Sequence, residues 1–174
     1  MLYIFIGYLV IRGAIYLYTN QNKKSLKIPP KNTVSEKNIS NENLNLKLDD
    51  SLSYSEKLNK TKAIYPFKSW RENYFEYDME QYTQENCDAA KQIFDDLINK
   101  LINFGEHATE KKKLGLFKNA INKLNHLSAT DESLIETGER EDLCELIDQI
   151  TIASGLNPID YADGEGIADL WREW

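Results

Sequence analysis

Residues 133–174 read SLIETGEREDLCELIDQITIASGLNPIDYADGEGIADLWREW, and this stretch decides the fold class. From Leu143 the apolar residues fall at 143, 146, 147, 150 and 153, the i, i+3, i+4, i+7 spacing of one helical face, with Cys144 on its flank. Two starts fit. Thr137 suits an N-cap, with Glu139, Glu141 and Asp142 placing carboxylates against the positive end of the helix dipole. Ser133 with Glu136 three residues on has capping-box spacing, which puts Gly138 inside the helix or at a break. The other end is sharper: Gly155 suits a left-handed position after the last turn, Leu156 folds back, and Pro158 forbids continuation.

This helix sits in the acidic part of the chain. Residues 128–174 hold 13 Asp and Glu against two Arg, a net of −11, whereas residues 80–127 balance and residues 1–79 carry +4. An acidic face has two uses: it keeps a helix soluble, or it steers a basic partner, since opposite single-sign patches speed encounter. A nucleic-acid surface is disfavoured, because phosphates require clustered Lys or Arg and the acidic end has none.

Two further helices are legible upstream. One is predicted from Thr83 to Phe104, with Ala90, Phe94, Leu97, Leu101 and Phe104 on one face and Gly105 at its end. The next runs from the cap candidate Thr109 to Leu127, with Leu114, Phe117, Ile121 and Leu124 in register. Its first turn carries Lys111–Lys113, which oppose the dipole slightly. At the C-terminus Ile167, Leu170, Trp171 and Trp174 recur at helical spacing, and tryptophans there are expected to dock on the helices. Short loops between such helices predict an all-α, antiparallel bundle spanning residues 80–174.

The N-terminal half is organised differently. Residues 2–18, LYIFIGYLVIRGAIYLY, are apolar except for Arg12 and two glycines. Seventeen helical residues at about 1.5 Å each reach about 26 Å, slightly short of a hydrocarbon core of about 30 Å. Snorkelling of Arg12 and the tyrosines closes that gap, so residues 1–18 are expected to be a membrane anchor; a buried helix or a misassigned start are the competing readings. Lys23, Lys24, Lys27 and Lys31 follow the span, which predicts that the helical domain lies in the cytoplasm. Residues 19–62 read as a polar tether, with a brief NLNLKL alternation at 43–48. Residues 63–79 concentrate Tyr65, Phe67, Trp70, Tyr74, Phe75 and Tyr77, too many aromatics for a tether, and read as a docking segment.

Chemistry is sparse. Cys87 and Cys144 are isolated and read as small apolar residues, with an inter-helix disulfide as the alternative. His107 and His126 have no metal-ligand spacing, and no phosphate loop or nucleophile elbow is present. The turn Asp160-Tyr-Ala-Asp163-Gly-Glu165 lacks the alternating ligands and the twelfth-position Glu of a calcium loop, so no metal or other cofactor is expected. An enzyme is the least supported class.

The run LIETGEREDLCELID followed by WREW resembles small acidic helical bacterial proteins of the toxin-immunity type, over roughly residues 80–174. The resemblance implies a protein that neutralises a cognate toxin by binding it; it carries over no contact residue. The leading expectation is therefore a non-enzymatic binding protein with a basic protein partner. Glu136, Glu139, Glu141, Glu145 and Asp148 are expected to form the charged rim, and Trp171 and Trp174 to act as anchors. The competing expectation is a membrane-tethered adaptor or scaffold for an endogenous complex.

Overall fold

The computed structural model describes residues 51–174. The expected anchor at 1–18, residues 19–50 of the expected tether and the alternation at 43–48 lie outside the described residues.

The described part is all-helical: five α-helices, α1 Tyr54–Lys60, α2 Phe67–Glu76, α3 Gln84–Phe104, α4 Glu110–Thr130 and α5 Thr137–Ala153, joined by short loops and 3-10 turns. Among the described residues none of these helices is long and apolar enough to cross a membrane.

The α3–α4 hairpin is the scaffold. Thr83 caps α3, its side chain accepting from the Asn86 N–H at 3.1 Å, and Gly105 ends it at φ 80°. Cys87, Ala90, Phe94, Leu97, Ile98 and Leu101 bury one stripe of α3; Phe117, Ala120, Ile121 and Leu124 face it from α4. Each Leu, Ile and Phe among them contributes roughly 1.5–3 kcal/mol by leaving water, and the alanines less. Lys123 pairs with Asp96 at 3.3 Å and Lys112 lies 5.8 Å from the Phe104 ring, so the two helices run in opposite directions.

Residues 53–62, read from sequence as tether, are structured. Ser53 and Glu56 form a reciprocal capping box at the start of α1, and a 3-10 turn over Thr61–Ile64 follows. Leu58 is fully buried and Thr61 nearly so. The reason is economical: a seven-residue helix that lies between two others needs one large apolar side chain, too few to register as a periodic face. Asp95 ties this turn to α3, accepting from Lys62 at 2.8 Å, Lys91 at 2.5 Å and Tyr65 Oη at 3.2 Å. Burial pushes the Asp95 carboxyl up, but the two ammonium groups outweigh it and hold the group below its ordinary range. The aromatic segment is folded as well. Phe67 and Trp70 of α2 are buried, Phe67 lies 5.8 Å from Phe94, and Trp70 stacks on Tyr82 at 5.8 Å.

The start of α5 differs from both sequence expectations. Glu136, rather than Thr137 or Ser133, occupies the N-cap, in a capping box with Glu139, and Gly138 lies within the first turn. Ser133 serves the preceding turn instead, donating from its N–H and hydroxyl to Asp131 at 3.2 and 2.7 Å. At the other end Gly155, at φ +81°, and Leu156 donate to the carbonyls of Ile152 (2.9 Å) and Thr151 (3.1 Å), closing the helix by the two-bond pattern that requires a left-handed residue. The C-terminal segment is not one helical face. It contains a three-residue 3-10 turn at Ala168–Leu170, with Ile167 and Ala168 buried and Leu170 39% exposed. Trp171 and Trp174 are partly buried against the core.

Candidate functional site

The acidic residues separate into those enclosed by the fold and those that reach solvent. The C-terminal half of α5 is enclosed, with Leu146, Ile147, Gln149, Ile150, Thr151 and Ala153 all buried, so its carboxylates reach solvent mainly along the N-terminal half. Glu136, Glu141 and Glu145 are exposed there. Among the described residues none of these three joins an ion pair; of all the acidic residues in 128–174, only Asp169 does, with Arg172.

Glu139 is committed internally. It accepts from the Glu136 N–H at 3.1 Å within the capping box and from the Tyr82 hydroxyl, which is buried between α2 and α5. Asp142, a turn further on, accepts from the Trp70 indole at 3.0 Å. Neutral donors thus hold this flank of α5. Asp148 lies on the opposite flank, half-buried against the C-terminal segment. Burial, with the negative charge of Asp169 behind it, pushes its carboxyl up to about 6.

The seven residues singled out from sequence therefore do not form one patch. Glu141 and Glu145 are exposed one helical turn apart; Glu136, also exposed, forms the helix start with Glu139; Asp148, Trp171 and Trp174 belong to the C-terminal corner. Trp174 walls a groove of about 310 Å³ with Asn125, Ser128, Glu132, Ile135 and Glu173, and its buried indole nitrogen has no hydrogen-bond partner among the described residues. The residues that sequence reasoning missed are Asn125, Gly166 and Asp169. Asn125 holds the chain end by two hydrogen bonds, and only the run of Asp and Gly at 163–169 hinted at a tight approach.

Cys87 is buried and Cys144 half-buried; both are free thiols, and burial pushes Cys87 up to about 11, away from thiolate chemistry. In the 160–165 turn the Tyr161 hydroxyl donates to Glu110 at 2.8 Å, and among the described residues no group of His, Cys, Asp and Glu is placed to hold a metal ion. Set against known proteins, the chain matches no family model, no curated protein and no solved structure.

Proposed function

We propose that this is a non-enzymatic binding protein of the toxin-immunity type, whose acidic helix covers a basic surface on a protein partner. The observation that carries this reading is that Glu141 and Glu145 on the N-terminal half of α5, and Glu136 at its cap, are exposed and join no ion pair among the described residues. Carboxylates left without cations set up a field that an opposite patch feels before contact, which raises association rates more than final affinity. Trp70 and Tyr82 fix the start of the helix through Asp142 and Glu139, so the backbone of the rim is already ordered and only side chains lose freedom at binding.

Changing Glu136, Glu141 and Glu145 together to Gln tests this. Gln at 136 keeps an acceptor for the cap, and exposed substitutions move stability by about 0.5 kcal/mol or less each, so the thermal melt should barely shift. A basic partner recovered from native cells should associate about tenfold more slowly with the variant at low salt, and the difference should shrink at high salt. A partner that binds wild type and variant at equal rates at both salts would remove this face from the contact.

We also propose that residues 1–18 tether the protein to a membrane with the helical domain on the cytoplasmic side, on the distribution of Lys23, Lys24, Lys27 and Lys31. A reporter fused after Asn22 should fractionate with membranes and be active only in its cytoplasm-sensing form. A periplasmic signal reverses the orientation, and a soluble product removes the anchor.

A further inference from the structure

The C-terminal segment closes on the helices through two unlike contacts. On the α4 side, Asn125 treats it as a strand would: its Nδ2 donates to the Trp171 carbonyl at 2.8 Å, and its Oδ1 accepts from the Glu173 N–H at 3.1 Å. Lys118 of α4 lies 5.7 Å from the Trp171 ring. On the α5 side the contact is a carboxyl group. Gly166, at φ +93°, lies so near that a Cβ there would be 2.5 Å from Asp148 Oδ1, so the segment's backbone rests directly on that carboxyl.

Asp148 is half-buried by this contact, and no cation offsets the part of its hydration that is lost. Among the described residues no hydrogen bond or ion pair reaches its carboxyl group. The segment brings it Asp169, a second carboxylate, while the nearby Arg172 is committed to Asp169 and to the Trp174 carbonyl at 3.0 Å. The other titratable or charged groups around this corner are Arg140 and Cys144 on α5 and Glu165 on the approach to the segment. A neutral carboxylic acid fits under Gly166 and beside Asp169; a carboxylate there is partly desolvated and faces a second negative charge.

We propose that residues 166–174 form a proton-controlled latch, closed on α5 while the Asp148 carboxyl is protonated and loosened when it ionises. The latch is a property of the chain alone and stands whether or not the acidic helix has a basic partner. The sign follows from linkage. An acid whose pKa is raised in the closed state favours closure most fully below its free value near 4, and that advantage is lost as pH rises through about 6. With these two values the opening equilibrium rises about tenfold between pH 5 and pH 7. The consequence at the surface is that Trp171 and Trp174 become more accessible towards neutral pH.

The test is amide hydrogen exchange across residues 166–174 of the full chain, expressed as protection factors at pH 5 and pH 7 so that intrinsic exchange chemistry cancels. Wild type should lose about tenfold in protection over that interval. Asp148→Asn, a neutral isostere of the protonated acid, should keep the pH 5 protection at both values. Gly166→Ala, which strains a left-handed position and forces the Asp148 side chain to swing away, should show low protection at both. The latch is overturned if wild-type protection is the same at the two pH values, if Asp148→Asn keeps the wild-type drop, or if Gly166→Ala protects as wild type does.

Discussion

Removal of residues 51–70 is expected to unfold the entire helical domain, although those residues make up only its first short helix, one turn and the start of α2. Helix α1 lies against both α3 and α5, and the turn at Thr61–Ile64 lies against α5 as well. Leu58, Thr61, Phe67 and Trp70 are all at most 4% exposed. Losing each large apolar side chain from such a site costs about 2–5 kcal/mol. Three of them together match the whole stability of an ordinary domain, about 5–15 kcal/mol. A chain beginning at Ser51 should show strongly helical circular dichroism and a single cooperative urea transition. A chain beginning at Arg71 should lose the transition while keeping some residual helix from α3 and α4. A cooperative transition in the shorter chain would show that α5 docks on the hairpin without α1.

Replacing Lys113 with Met is expected to cost about 2–5 kcal/mol, the largest effect of any single lysine in the described chain. Its side chain is only 5% exposed, and its ammonium donates to the Glu106 carbonyl at 2.8 Å and the Ser154 carbonyl at 2.6 Å. Ser154 follows the last turn of α5, where the helix dipole presents partial negative charge. The lysine that opposes the dipole of its own helix thus favours that of another, and the Tyr54 ring lies 5.6 Å from the same ammonium. Methionine keeps the stem but leaves two carbonyls without a donor. The melting temperature should fall by about 10–20 °C, whereas Lys111→Met, at an exposed site, should change stability by about 0.5 kcal/mol or less. An unchanged melt for Lys113→Met would mean that water satisfies both carbonyls.

What the sequence made legible was local. Thr83 and Gly105 bracket α3 because a cap is a contact between neighbours in sequence, and Gly155 ends α5 for the same reason. The exposed Glu141 and Glu145 were legible too, since they fall off the apolar face of one helix. The illegible parts were those set by distant partners. Glu139 has the spacing of a rim residue, yet Tyr82, which engages it, is 57 residues away. Asp148 has similar spacing, and only Gly166 and Asp169 reveal that it is covered. In α1 the informative signal was the Ser53–Glu56 capping box rather than composition, because one buried leucine leaves a seven-residue helix looking like linker. In the C-terminal segment the recurrence of Ile167, Leu170, Trp171 and Trp174 suggested one face, but three residues of 3-10 turn do not sustain it, and Leu170 turns outward.

The position of α1 has a consequence for how the chain matures on the ribosome. It is synthesised first among the described helices, but one of its two docking partners, α5, begins about 80 residues later. At about 5–20 residues per second that is an interval of about 4–16 s. During it the α3–α4 hairpin can close across its five-residue loop, a local event, while α1 still lacks α5 as a docking partner. Synonymous changes that alter translation speed between residues 61 and 136 should therefore alter how long an unburied first helix is exposed to chaperones and proteases, without changing any contact in the finished protein.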